Sequence, residues 1–407
     1  MEQRLLVLRN ARMIDGRDDR VRKHVSVTIR GDTIVSITGE GGEPDDAHVI
    51  DLEGRTLLPG LIDAHYHVSA FLDLPAPQRG EEPLPREVRY FALANAARSL
   101  LAAGITTVRD VGSYDDEQLV LRKAIQLGLC TGPRFLTCGR ILSATVPGGR
   151  IFGTMYREAD GCDDMRRAVR EQIRRGADFI KVMATGARSV VLEQPEPAQI
   201  TRAELATVVD EAHRMGLRVA AHAEGLGGAR LAVEEGVDTI EHGLSLHRAA
   251  DLLDRMATQG IVLVPTLSTF HDVSETHADS FAPVLVEQAK RQREEAYRTL
   301  VAARQAGVTL AMGFDSRPPG DNALELVRMV EGGLSPMEGI VAATGGSARA
   351  CGLESIGTIE PGKVADLLVV DGDPLGDIRL LNTSERIWLV IQHGRPVAGV
   401  ALSLANE

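Results

Sequence analysis

The residues with the clearest chemical potential are two histidines, His65 and His67, which close the apolar stretch Leu-Pro-Gly-Leu-Ile-Asp-Ala-His-Tyr-His at 58–67. In a strand, side chains at i and i+2 share a face, so both imidazoles point the same way; in a helix they would diverge. Neutral imidazole is a common metal ligand, and His-x-His at a strand end makes a two-point clamp. The plainer alternative is a pair of surface histidines following a buried strand. Four further residues stand at or near the ends of apolar stretches: Lys181 in DFIKVMATG, His222 in RVAAHAEG, His242 in DTIEHG and Asp315 in VTLAMGFDS. Lys181 is the odd member, because a lysine among apolar neighbours is costly unless its charge is managed. Burial and nearby cations favour the neutral amine, which can add CO2 to become an anionic carbamate able to bridge two metal ions. Pairing with Asp178 or Glu224 is the other way to manage that charge.

These residues need a scaffold that brings strand ends together. Apolar strand candidates fall at 59–66, 105–111, 134–139, 178–183, 218–222, 237–241, 260–266 and 308–314. Helix-like stretches lie between them at 88–103, 116–128, 163–175, 201–216, 227–235, 248–259 and 284–306. The helix at 201–216 opens Thr-Arg-Ala-Glu, a capping-box pattern, and stops at Gly216. Alternating strands and helices of this number predict a (β/α)8 TIM barrel, whose chemistry sits at the C-terminal strand ends. An open doubly wound sheet is the second choice, but the first of these strands is not followed by Gly-x-Gly-x-x-Gly, so nothing favours a dinucleotide site. Residues 1–56 and the stretch from 355 to 407 read instead as short β segments broken by Asp-Gly, Pro-Gly and Gly-Asp turns. The expected division is a small β-sandwich domain from 1–56 plus 355–407, and a barrel over 57–354.

Composition narrows the partners. The 407 residues carry a net charge of −12 and no basic block, which disfavours nucleic acid and anionic membrane. The first residues lack the apolar run of a signal peptide, and no stretch is long enough to span a bilayer. Cys130, Cys138, Cys162 and Cys351 form no Cys-x-x-Cys and no disulfide framework, so a cytoplasmic location is expected.

The ordered motifs LLPGLIDAHYH, GITTVRDVG, GADFIKVMATG, VAAHAEG, GVDTIEHG, GFDS and GTIEPGKVADLLVVDGDP resemble the amidohydrolase superfamily with a binuclear metal centre, in its imidazolonepropionase-like and Xaa-Pro dipeptidase-like branch. The resemblance implies one metal held by His65, His67 and Asp315 and a second by His222 and His242, with a carbamate on Lys181 between them. It implies two divalent ions, expected to be zinc, and a homo-oligomer. Two stretches depart from the branch: Ala144 to Arg150 has arginine where Thr-Gly-Gly-His is common, and Thr185-Gly186-Ala187-Arg188 replaces Thr-Gly-Gly. Both would line the pocket, so substrate identity does not carry over.

The expected reaction is hydrolysis of an amide in a small molecule, foremost a dipeptide or N-acyl amino acid. A metal-bridged water, its pKa lowered from about 15.7 towards about 7, would attack, with Asp315 shuttling its proton to the leaving amine. A cyclic-amide hydrolase of the imidazolonepropionase type, or a related deaminase, is the alternative; a deaminase would not need Lys181. Arg150, Arg157, Arg188 and Arg317 are candidates to hold a substrate carboxylate, and Tyr156 and His271 to donate to the carbonyl. Tyr66 would point away from His65 and His67. Arg109 and Asp110 are expected to form a buried pair.

Overall fold

The computed structural model describes residues 5–405 apart from 18, 40, 42–43, 45, 73 and 75–84. In chain order its main elements are β1 (Leu5–Ile14), β2 (Val21–Arg30), β3 (Thr33–Gly39), β4 (His48–Asp51), β5 (Thr56–Pro59), β6 (Leu61–Tyr66), α1 (Arg86–Ala102), β7 (Ile105–Asp110), α2 (Glu117–Gln126), β8 (Arg134–Thr137), β9 (Ile141–Ser143), α3 (Gly148–Phe152), β10 (Tyr156–Glu158), α4 (Gly161–Arg175), β11 (Phe179–Met183), α5 (Arg202–Arg214), β12 (Arg218–Ala223), α6 (Leu226–Glu235), β13 (Thr239–His242), α7 (Ala250–Gln259), β14 (Val262–Val264), α8 (Leu267–His271), α9 (Pro283–Gln305), α10 (Leu324–Glu331), α11 (Pro336–Val341), α12 (Ser347–Cys351), β15 (Leu367–Val370), β16 (Ile387–Gln392) and β17 (Arg395–Ala398).

Both chain ends build one eight-stranded sheet, ordered β17-β16-β15-β5-β1-β2-β3 with β4 on β1. Its two faces follow the two-residue period of a strand. Leu57, Leu367, Val369 and Leu389 turn to a core shared with Leu8, Met13 and Ile29. Their neighbours Leu58, Leu368, Val370 and Val390 turn the other way, onto Leu93, Leu100 and Leu101 of α1.

The middle of the chain is an α/β arrangement with two parallel sheets, β6-β7-β8 and β10-β9-β11-β12-β13-β14. All seven helices expected between the strands are present, with ends shifted by a few residues. Thr201 and Glu204 form the capping box at the start of α5, and Gly176, Gly236 and Gly260 end α4, α6 and α7 in the left-handed conformation that suits glycine. Two short strands, β9 and β10, were not expected; each has only three residues.

The strand expected at 308–314 is a single bridge, Leu310 to Leu263. The amide of Met312 goes to Ser347 Oγ at 3.0 Å instead of to a strand neighbour, and Gly313 lies so close to His65 that an added Cβ would sit 2.6 Å from the His65 Cβ. The segment still bonds on both sides: Ala311 N–H donates to Leu263 O at 2.9 Å, and Ala64 N–H to Met312 O at 2.8 Å. Among the described residues no helix is long and apolar enough to cross a membrane.

Candidate metal centre and active site

The C-terminal ends of β6, β11, β12 and β13 and the turn at Asp315 open into one cavity of about 360 Å3. His65, His67, Lys181, His222, His242 and Asp315 all line it. Ring centroids lie 5.4 Å apart for His65 and His67, 5.0 Å for His65 and His242, and 4.6 Å for His222 and His242. Asp315 Oδ1 is 3.9 Å from His65 Nε2 and 3.8 Å from His67 Nε2.

Each imidazole is oriented by a partner on its far side. His65 Nδ1 meets Glu241 Oε2 at 2.6 Å, His67 Nδ1 meets the Gly112 carbonyl at 2.6 Å, and His242 Nδ1 meets Thr266 Oγ1 at 2.6 Å. A carboxylate or carbonyl at Nδ1 selects the tautomer that leaves Nε2 as the electron-pair donor, the usual second contact of a metal-binding histidine. His222 is turned the other way, with Nε2 3.2 Å from the Gly186 carbonyl, so Nδ1 is its ligand-side nitrogen. Burial is the largest influence on all four rings and holds their proton affinity down, with the Arg109 guanidinium adding to it for His65 and that of Arg188 for His222 and His242. The rings are thereby kept neutral, the form that binds metal.

Backbone and polar contacts behind the cluster fix this geometry. His242, Thr266 and Asp315 all have left-handed backbones, with φ of 70°, 49° and 43°; for a β-branched threonine this is costly and needs support from its surroundings. Glu325 supplies it, accepting the amides of Leu267 and Ser268 at 2.7 Å each. Asp63 accepts the amides of His65 and Phe314 and the Asn322 side chain. Burial pushes the Asp63 carboxyl up to about 7 and that of Glu325 up to about 8.

Arg109 and Asp110 do not pair. Adjacent strand residues face opposite ways. Arg109 Nη2 instead donates to Glu241 Oε1 at 2.8 Å, while Asp110 accepts from Val68, Gly112 and Ser113. Glu241 therefore links a buried guanidinium to the His65 ring. Glu241, Asp63 and Glu325 were missed in the sequence. The one signal for Asp63 was its position two residues before His65; for Glu241 it was the step before His242.

Lys181 is buried, and its Nζ has no hydrogen-bond partner among the described residues; nor does Glu224 Oε2. Neither Asp178 nor Glu224 pairs with the lysine: Asp178 is taken by Arg122, and Glu224 Oε1 by Arg188 at 2.6 Å. Burial lowers the Lys181 amine to about 8. Two sets of donors lie within metal-binding reach of one another: His65, His242 and Asp315, and His222, Glu224 and His242. Glu224 thus joins the residues that could hold a metal. The unpartnered Glu224 oxygen and the inward-turned imidazole nitrogens are donors of the kind a divalent ion takes.

The residues expected to contact substrate separate. Tyr156 lines the cavity and stacks on Phe152 at 4.9 Å. Arg188 and Arg317 line it too. Arg188 is committed to Glu224, to Thr269 Oγ1 at 2.9 Å and to Asp315 Oδ2 at 3.5 Å. Arg157 is locked to Asp164 and Glu171 on α4. Arg150 is exposed on α3 and is not among the lining residues. His271 faces a separate hollow, bonded to Glu275 and Tyr297. Tyr66 is buried against Phe71 and Phe314, away from the imidazoles.

A pocket of neutral, pre-oriented imidazoles with an adjacent carboxylate is that of a metal-dependent hydrolase. The chain belongs to the amidohydrolase family, whose model matches residues 56–397, and it is a metal-dependent amidohydrolase acting on carbon–nitrogen bonds. It is 30% identical to the ochratoxinase of Aspergillus niger over 376 residues, covering 86% of this chain and 77% of that one. It is 28% identical to the imidazolonepropionase of Paracoccus denitrificans, covering 80% and 82%. Among solved structures, a Xaa-Pro dipeptidase with bound methionine in the active site superposes with a TM-score of 0.87 at 30% identity, covering 97% of this chain and all of that one. These neighbours share a TIM-barrel-like α/β fold, and their activities support amide-bond hydrolysis of a small molecule.

Proposed function

We propose that this enzyme hydrolyses the amide bond of a dipeptide or N-acyl amino acid, using two divalent ions held by His65, His67, His222, His242, Asp315 and a carbamate formed on Lys181. The observation that carries this reading is the buried, unpartnered Lys181 Nζ facing the same cavity as four neutral imidazoles. A neutral amine at that position can take up CO2, and the carbamate would supply the anionic oxygens that two cations need. Bound there, divalent ions such as zinc supply Lewis acidity and lower the pKa of water.

The chain's own groups do the rest. Burial raises the Asp315 carboxyl to about 6, with the Arg188 guanidinium limiting the rise. Asp315 accepts the proton of the attacking water and returns it to the amine nitrogen as the C–N bond breaks. Arg188, clamped between Glu224 and Asp315, orients that carboxylate. Tyr156, which lines the same cavity, contacts the substrate.

The scaffold reading is a closed (β/α)8 barrel over 57–354 with a β-sandwich domain from 1–56 plus 355–407. The bonds from the 308–314 segment to Leu263 and Ala64, and from Asp178 N–H to Thr137 O at 2.8 Å, support closure. The shared sheet of the two chain ends supports the second domain; β5 carries it to Pro59. Four free thiols fit a reducing compartment.

Metal content per chain, measured with a panel of dipeptides, N-acyl amino acids and cyclic amides, tests the proposal. About two metals with amine release is expected, and metal-free enzyme should regain activity with zinc only when bicarbonate is present. One metal, or recovery without bicarbonate, would overturn the carbamate. Release confined to cyclic amides would move the assignment to ring opening.

A further inference from the structure

Two segments that are far from regular structure build part of the cavity wall. Residues 184–200, between β11 and α5, carry no helix or strand of their own and contribute Ala187, Arg188 and Ser189. The run from α3 into β10 contributes Ile151, Phe152, Met155 and Tyr156. The first segment is anchored at its base, where Thr185 bridges to Ala198 and Gln199 N–H donates to Ala184 O at 2.8 Å. Val190 packs its tip into the apolar cluster of Tyr156 and Phe152, and one carboxylate ties it. Glu193, only 8% exposed, accepts Ala187 N–H on Oε2 at 2.7 Å, within its own segment, and Gly148 N–H on Oε1 at 2.6 Å, from the start of α3. Gln199 Nε2 also approaches Oε1, at 3.4 Å.

This contact requires glycine at 148, because a Cβ there would lie 2.6 Å from Glu193 Oε1. Buried backbone N–H groups need acceptors, and a carboxylate is a strong one; Glu193 answers two such donors, one on each side of the seam. Outside the seam, Ile151, Val191 and Leu192 are 63%, 58% and 79% exposed, so these apolar side chains add little to closing it. The reacting groups are independent of the clasp. His65, His67, Lys181, His222, His242 and Asp315 all lie outside both segments, and the Arg188 side chain has its own bonds to Glu224, Thr269 and Asp315. Opening the seam therefore changes the shape of the wall and leaves the chemistry in place.

We propose that Glu193 is a positioning residue that sets the substrate size preference: it clasps the turn at 187–193 to α3 and so fixes the wall of Phe152 and Tyr156. Substrates with an acyl group large enough to reach that wall depend on the clasp, and those with an acyl group that stops short do not. This rests on the amide-hydrolase reading above and deepens it.

The test follows hydrogen exchange of the zinc-loaded enzyme in segments 144–156 and 184–200, with α5 as a reference. It also measures kcat and KM for N-benzoyl- and N-acetyl-phenylalanine, and calorimetric affinity for N-benzenesulfonyl- and N-methanesulfonyl-phenylalanine, which hold no amide bond to cleave. Wild type should favour the benzoyl and benzenesulfonyl members about tenfold through apolar burial. Glu193→Ala should speed exchange in the two segments about 10- to 100-fold, the scale of a hydrogen bond to a charged group, and leave α5 unchanged. It should raise KM for the benzoyl substrate, bring both size ratios to within about threefold of one, and keep kcat for the acetyl substrate within about threefold of wild type. Glu193→Gln retains one acceptor of the two and should fall between. Gly148→Ala breaks the same contact from the other side, so adding it to Glu193→Ala should have little further effect. Size ratios that survive Glu193→Ala, ratios lost only as α5 exchange rises in step, additive effects of the two substitutions, or no size preference in wild-type binding would each overturn the clasp. No turnover of either N-acyl substrate, with the binding ratio present in wild type and lost in Glu193→Ala, would count against the N-acyl amino acid reading and leave the clasp standing.

Discussion

The sheet made by the two chain ends and the strand ends around Lys181 are both thoroughly buried, yet they are filled with opposite chemistry. Leu8, Leu57, Leu367 and Leu389 occupy the first, where the backbone ladder satisfies the polar groups. The second holds Lys181, Arg109, Glu241, Asp63 and Glu325 within a few strands of one another. Apolar burial stabilises by area and tolerates change roughly in proportion to the volume removed. Buried charge depends on its partners, because removing one leaves the other uncompensated. Stability is therefore distributed in the terminal sheet and conditional in the site.

The largest effect should come from the residue whose partner is absent. Lys181→Met removes the amine without stranding any protein group, since Nζ has no hydrogen-bond partner among the described residues. Turnover should fall by about 10^3-fold or more, on the scale of losing a group essential to metal chemistry. Stability of the metal-free protein should not fall, because a desolvated amine is exchanged for a thioether. Kinetics and denaturant unfolding of metal-free protein check the two halves separately. Normal turnover would remove the carbamate; a large loss of metal-free stability would mean that Lys181 is paired after all.

Glu241 is the converse case. Glu241→Gln leaves the Arg109 guanidinium buried beside a neutral amide and weakens the hold on His65. A loss of about 3–5 kcal/mol in unfolding free energy is expected, with zinc affinity lowered about 10- to 100-fold in chelator competition. The double variant with Arg109→Met sharpens the contrast: stability should largely return, while zinc affinity stays low. Recovery of both, or of neither, would mean that the ion pair and the histidine contact are not separable as described.

In the terminal sheet, Leu57→Ala should cost about 2–4 kcal/mol by creating a cavity in a fully buried position. Metal affinity and kcat/KM of the folded enzyme should remain within about twofold of wild type. Unfolding curves together with zinc titration check this. A fall in metal affinity comparable to that of Glu241→Gln would erase the distinction between the two regions.

Which parts were legible in the sequence follows the same division. Elements that bury an apolar face announce themselves by period, so the seven helices and most strands of the middle of the chain could be read. The three-residue strands β9 and β10 carry too few residues for a period to show, whereas β14, equally short, sits inside the longer apolar stretch 260–266. The segment at 308–314 has strand composition, but Gly313 pressed on His65 and the diversion of the Met312 amide to Ser347 prevent a regular ladder. The cavity-lining histidines, Lys181 and Asp315 were legible because polar residues at apolar strand ends are conspicuous. The groups behind them were not. Glu241 looks like any residue beside His242 until the fold brings Arg109 and His65 to it. The arginines could be listed but not ranked, because whether a guanidinium is spent on an internal carboxylate is a property of tertiary packing.

The smallest effect lies at Glu211, whose carboxylate is covered but whose arginine partners are exposed, and tests whether charge is conditional only where both partners are enclosed. Glu211 on α5 accepts Arg170 Nε at 2.7 Å and Arg214 Nη2 at 2.6 Å, and the hydrogen bond from Arg170 is the main cause that holds its carboxyl down to about 2. A carboxyl lowered from its ordinary value near 4.5 is ionised and paired in the folded protein while the unfolded chain is already taking up its proton. Its contribution is therefore complete above about pH 4.5 and is lost as pH falls towards about 2. Both arginines are more than half exposed, so solvent screening keeps the contribution small. Glu211→Gln should lower the melting temperature by about 1–2 °C at pH 7 in low salt. That gap should narrow between pH 4.5 and 3 and shrink with added salt. A gap as large as that of Glu241→Gln, or one unchanged by both acid and salt, would show that enclosure is not what separates costly charge from cheap charge in this molecule.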